Sequence, residues 1–228
     1  MAVTLERKTQ EQIELAIISL DDGAKNVINH QVLDELEAAW LEAQSASAIV
    51  FSGRPGSFCA GYDVSVMTGG DASAASELGR RGGRLVLELY ACDKPVVAVS
   101  TGHAFTIGAV WLACCDVRIG EQGRFKYGMT EVALGVGFSP WPLVPLRERL
   151  ATQHQLPALA HSRVYDPEGA LAAGFIDELV AADQGMARAL EVAAQLAQLP
   201  AKAYAVTKQQ LRHDGVQIMA ADLGLSTG

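Results

Sequence analysis

Residues Lys94–Gly120 read KPVVAVSTGHAFTIGAVWLACCDVRIG, and this stretch decides the fold. Pro95–Val99 is a short β-branched run, the signature of a strand buried on both faces. The glycine-bearing turn STGHAFTIG follows, then the helix-forming AVWLACC, and Val117–Ile119 reads as the next strand. A membrane span is the competing reading of the uncharged segment Pro95–Cys115. Its interruption by Ser100, Thr101, Gly102, His103 and Thr106 favours strand, turn and helix instead.

Working outward, the same unit recurs upstream. Ile13–Leu20 (IELAIISL) is followed by the turn DDGAKN and by a helix over His30–Ala43, whose Val32, Leu33, Leu36, Trp40 and Ala43 share one face. Ala48–Phe51 (AIVF) is followed by SGRPGSFCAGYD and then VSVM. The chain therefore reads as wound from similar turns of strand, loop and helix, an α/β class.

Downstream the character changes. In DPEGALAAG, Asp166 can cap a helix, with Pro167 at its first position and Gly174 beyond its end. Helices over about 184–198 and 201–213 follow. The expected organisation is a core over 1–165 and a helical region over 166–228, packed together because no polar linker divides them.

Composition narrows the function. The chain has 228 residues, with 26 acidic and 18 basic side chains for a net charge of −8. No basic face for nucleic acid is expected from that balance. The start, MAVTLERKTQEQIEL, lacks the apolar stretch of a secretory signal, so the expected compartment is the cytoplasm, with no membrane segment. Cys59, Cys92, Cys114 and Cys115 include no CxxC pair and read as reduced, buried residues. His30, His103, His154, His161 and His213 have no metal-ligand spacing, so no metal is expected. P-loop, dinucleotide and zinc-protease motifs are absent from the sequence.

Two long turns remain, Ser52–Asp63 and Ser100–Gly108, each leading into a helix start. Such turns expose backbone N–H groups without intrahelical partners, and two converging amides would stabilise an oxyanion. Each turn taken alone reads more readily as a tight bend that needs its glycines.

At these residues the sequence resembles the crotonase family, the enoyl-CoA hydratases and isomerases. SFCAGYDVSVM is similar to the family loop F-C-A-G-x-D-[LIV]-x-x-M. Lys94–Gly120 resembles K-P-V-[IV]-A-x-[VI]-x-G-x-A-x-G-G-G-x-x-L-x-x-x-C-D, TEVALGV resembles N/P-E-V-x-L-G-[LI], and LPAKAYAVTKQQL resembles L-P-x-x-A-x-x-x-T-K-x-x-L. The resemblance covers most of the chain and implies a crotonase-like spiral of repeated ββα units with a C-terminal helical region, assembled as a homotrimer or hexamer. It implies an acyl-CoA thioester substrate and no separate cofactor, coenzyme A being part of the substrate.

The resemblance also assigns roles. Tyr62 and Ile107 would supply the oxyanion amides through their backbone N–H groups, with Ala60, Gly61 and Asp63 shaping the first loop and Gly108 the second. Asp63 is also a cap for the following helix. Lys25 would lie where CoA phosphates approach. Glu131 would be the catalytic carboxylate, and it is the sole charge in Thr130–Val136. A carboxylate among apolar groups has a raised pKa and serves as base and then acid.

Departures from the pattern select the reaction. The position of the hydratases' second glutamate is Val110 here. Adding water needs one group to orient the water and another to move protons, whereas shifting a double bond needs one base. The expectation is therefore a Δ3,Δ2-enoyl-CoA isomerase. A hydratase, another thioester-enolate lyase or hydrolase, and a catalytically weak acyl-CoA-binding protein are the alternatives. Thr106-Ile107-Gly108 replaces G-G-G, which narrows the space for a thioester, and Tyr62 replaces the usual alanine, where it would either narrow the pocket or lend a hydroxyl. The chain ends at Gly228, short of the family's usual final helix, so the expected CoA site is either incomplete or built from a neighbouring subunit.

Overall fold

A computed structural model describes residues 1–10 and 12–226. β1 (Val3–Gln10) and β2 (Ile13–Leu20) form an antiparallel hairpin with Val3 opposite Leu20. A turn then leads to β3 (Val27–Ile28) and α1 (His30–Ala43). The Asn29 side chain starts α1 by accepting the Val32 N–H at 2.9 Å, and Val32, Leu33, Leu36, Trp40 and Ala43 are its buried face, as the 3.6-residue spacing predicts.

The next turn of the spiral comprises β4 (Ala48–Gly53), β5 (Gly56–Cys59), β6 (Gly61–Tyr62), α2 (Val64–Thr68) and α3 (Ala72–Ala91). It is followed by β7 (Val96–Ser100), β8 (Gly102–Phe105) and α4 (Ile107–Cys114). β9 (Val117–Glu121), β10 (Tyr127–Gly128) and a 3-10 turn over Val132–Leu134 come next. The chain continues through α5 (Pro140–Arg149), α6 (Thr152–Leu159), α7 (Pro167–Ala173), β11 (Glu178–Val180), α8 (Gly185–Ala197) and α9 (Ala201–Asp222).

Each turn contributes one strand to a six-stranded sheet ordered β1-β2-β4-β7-β9-β11, parallel except at the first pair. The other strands form small sheets, β10-β8-β5 and β3-β6, which carry the loops. This is the expected ββα spiral. The inner strands β2, β4 and β7 are buried on both faces, which explains their aliphatic runs. Ala16, Ile18, Ile49, Phe51 and Ala98 face a core shared with Leu33, Trp40, Val86 and Trp111. Leu15, Ile17, Val50, Val97 and Val99 face Ala189, Leu190 and Ala193 of α8.

Charged side chains tie the helical region to this core. Buried Lys208 and Arg212 of α9 donate to Asp116 at 2.6 and 3.0 Å, and Asp116 also accepts the Val96 N–H at 2.8 Å. Burial lowers the Lys208 pKa while Asp116 opposes that shift. Arg118 of β9 pairs with Asp177 before β11.

The structure departs from the sequence expectation at several elements, and α5 and α6 lie in a segment, 137–165, for which the sequence suggests none. α3 is a 20-residue helix in a segment that had suggested no element. The loop Ser52–Asp63 contains β5 and β6 rather than a continuous turn. α9 runs past His213 to Asp222. Of the region 166–228, the last two residues lie outside those described.

Candidate active site

The first loop is fixed from below by Asn26, a buried residue at φ +57°, which asparagine adopts more readily than most residues. Its Nδ2 donates to the carbonyls of Leu20, Ser57 and Phe58 at 2.7, 2.9 and 3.1 Å, while its Oδ1 accepts the Asp22 N–H. The neighbouring Lys25 carbonyl accepts from the Ser57 hydroxyl at 2.6 Å and the Ala60 N–H at 3.1 Å. The Lys25 side chain is exposed at the rim of the loop.

In the two-stranded ladder pairing Ile28 with Tyr62, the Asp63 N–H donates to the Ile28 carbonyl at 2.9 Å. Alternation of the backbone groups turns the Tyr62 N–H toward the opposite edge. Asp63 caps α2, its carboxylate accepting the Ser65 N–H at 2.9 Å and the Ser65 hydroxyl at 2.7 Å. That is the capping role read from the sequence.

The second loop passes through Thr106, at φ +49° and ψ −121°. A β-branched residue at positive φ is an outlier, held by its surroundings. The Thr106 N–H donates to Gly128 of β10 at 3.1 Å, and its carbonyl accepts the Val110 N–H at 3.1 Å. Ile107 is the first residue of α4, so its N–H has no carbonyl a turn earlier to accept it.

The two loops meet where two glycines leave room. An ideal Cβ on Gly61, itself at φ +109°, would stand 2.2 Å from Thr106 Oγ1, and one on Gly108 would stand 2.6 Å from Cys59 Cβ. The residues immediately before Tyr62 and Ile107 are thus in contact. Thr106 joins them to a third segment, because Gly128 lies on the strand that runs into Glu131.

Glu131 begins the 3-10 turn, its own carbonyl accepting the Leu134 and Val136 N–H groups at 3.0 and 2.9 Å. The residue is half-buried, with Oε2 enclosed and without a hydrogen-bond partner. Burial raises its pKa, opposed in part by backbone N–H groups of Glu131 and Thr130. Val110 is 1% exposed within α4, so no second carboxylate occupies that position.

The contacts bring Gly61, Tyr62, Ile107 and Gly108 together, tether the Glu131 segment to them, and leave Lys25 at the edge with Ala60 beneath it. Sequence reasoning missed Asn26 and the linking role of Thr106. The signal for Asn26 was present, since an asparagine in the turn DDGAKN is a residue suited to left-handed backbone. Among the described residues, no cluster of three or more His, Cys, Asp or Glu side chains could hold a metal ion. The four cysteines are free and buried.

Comparison with known proteins gives concordant matches. A family model described as enoyl-CoA hydratase/isomerase matches residues 10–223. The mitochondrial enoyl-CoA delta isomerase 1 of Mus musculus is 25% identical over 210 residues, covering 90% of this chain and 73% of that protein. The 2,3-dehydroadipyl-CoA hydratase of Escherichia coli K12 is 30% identical over 214 residues, covering 90% and 79%. Among solved structures, an Mtb enoyl-CoA isomerase superposes with a TM-score of 0.91 at 32% identity, covering 98% of this chain and 96% of that one. An enoyl-CoA hydratase from Mycobacterium ulcerans gives 0.92 at 30% identity, covering 98% and 97%.

Proposed function

Because the chain belongs to the enoyl-CoA hydratase/isomerase family, a family of enzymes acting on acyl-CoA thioesters, we propose that it is a Δ3,Δ2-enoyl-CoA isomerase. One observation carries the choice between the two chemistries. Glu131 is half-buried with a raised pKa, while the position that would hold a second carboxylate is the buried Val110.

In this reading the thioester oxygen of a 3-enoyl-CoA accepts the Tyr62 and Ile107 N–H groups. The Glu131 carboxylate removes a proton from C2, and the electrons flow to the thioester oxygen to give a dienolate. Two amide donors stabilise that charge, each worth about 2.7–4 kcal/mol in comparable sites. The protonated Glu131 then returns the proton to C4 and the double bond settles between C2 and C3. Atoms and charges balance without water, metal or redox partner.

Burial suits Glu131 to both steps, since a carboxyl of raised pKa is a better proton acceptor when ionised and still a competent donor once protonated. Lys25, exposed at the rim of the first loop, is the proposed contact for the CoA phosphates. A trimer or hexamer, in which a neighbour encloses the CoA, is the proposed assembly.

The test is a direct comparison of two rates on purified protein. Isomerisation of 3-hexenoyl-CoA should exceed hydration of crotonyl-CoA by about 10² or more. Faster hydration would assign the protein to the hydratases, the reading that the similarity to the dehydroadipyl-CoA hydratase favours.

A further inference from the structure

The Tyr62 side chain has a role separate from its N–H. The ring leaves β6, packs against the core and places its hydroxyl on Gly82 of α3. An ideal Cβ on Gly82 would stand 2.1 Å from that hydroxyl and 3.0 Å from two ring carbons, so the helix accepts the ring only because this residue is glycine. The hydroxyl is enclosed and unpartnered, and burial pushes its pKa up.

The adjoining residue is filled in the same way. A Cβ on Gly83 would stand 2.6 Å from the Leu223 side chain and 3.3 Å from the Trp141 indole. This face of α3 is therefore closed by side chains seated on glycines. At the other oxyanion position, Ile107 is 3% exposed and also bulky.

An acyl group whose carbonyl oxygen is held by the Tyr62 N–H must carry its first carbons past that residue. The ring spans from β6 to the backbone of α3 and so stands across the gap between loop and helix. The ring carbons lie against Gly82 as well as the hydroxyl does, so the ring itself is the blocking group. We propose that Tyr62 is a specificity-determining residue that ends the acyl pocket, so that the site takes short acyl thioesters. This inference rests on the acyl-CoA reading of the site.

Calorimetric titration with unreactive saturated CoA esters, from butyryl to dodecanoyl, tests it on the wild type, Y62F and Y62A. The wild type should bind butyryl-CoA more tightly than decanoyl-CoA by about tenfold or more, since overfilling a packed pocket opposes binding. Y62A should shift that ratio toward the long ester by about tenfold or more, and Y62F, which keeps the ring, should hold it within about threefold. Wild-type affinity that climbs about fourfold per methylene, as unhindered apolar burial gives, overturns the inference alone. The same holds for a Y62A length profile identical to that of the wild type. If no CoA ester of any length binds, the acyl-CoA reading falls with it. Should Y62A fail to fold, the wild-type profile still decides.

Discussion

At the scale of single residues, the decisive property is the environment of Glu131. Its Oε2 is enclosed and unpartnered, so ionisation is opposed by lost solvation. A folded-state pKa above the unfolded value of about 4.3 means that folding favours the protonated form. The contribution to stability is fully present below the unfolded pKa and is lost as pH rises through the folded one. E131Q should therefore raise the melting temperature at pH 8 and lose that advantage below about pH 4, as a thermal melt at each pH will show. Activity should run the opposite way, because the ionised form is the base. The acidic limb of kcat against pH should lie above the ordinary carboxylate range. The identity of Glu131 as a candidate was legible from the sequence motif. Its pairing with the buried Val110 could be anticipated only as a position, and Asn26 and Thr106 became visible only through contacts distant in sequence.

At the scale of elements, the two loops depend on backbone proximity. G61A would need a positive φ at alanine and would push on Thr106 Oγ1. It should destabilise by more than about 1 kcal/mol in urea denaturation. It should also cut kcat by about 10²-fold if one amide is displaced from the oxyanion. D63A removes the cap of α2 and should cost about 1 kcal/mol, with a smaller effect on kcat. The elements read correctly from sequence were those with a strong period or clear boundary signals, such as α1 with its one-sided apolar face and α7 between Asp166 and Gly174. α3 escaped because its buried face includes Gly82 and Gly83 within GRRGG, where helix propensity is low and packing against Tyr62, Leu223 and Trp141 decides. β3, β6 and β10 are two residues each, too short for any periodicity. α9 continues through Gly215, a residue that reads as a stop but here sits beneath the Tyr90 hydroxyl.

At the scale of the whole molecule, the spiral sets the loops above a sheet whose inner strands are buried on both faces, and α8 and α9 cover what the spiral leaves open. Asp116 is the anchor of that arrangement. D116A would leave Lys208 and Arg212 buried without a counter-charge and should destabilise by about 3–5 kcal/mol in equilibrium denaturation. A net charge of −8 suggested poor affinity for a ligand as anionic as coenzyme A. The proposed site resolves that tension locally, since backbone N–H groups and Lys25 carry the recognition and the global charge acts at longer range.

The central claim is that one carboxylate, Glu131, carries a proton from C2 to C4 of a 3-enoyl thioester. Incubating the enzyme with 3-hexenoyl-CoA deuterated at C2, and locating the label by mass spectrometry and NMR, tests this most directly. The account predicts 2-hexenoyl-CoA with deuterium delivered to C4, and a loss of about 10²–10⁴ in rate for E131Q. Formation of 3-hydroxyhexanoyl-CoA as the main product, or an E131Q rate equal to that of the wild type, would contradict it.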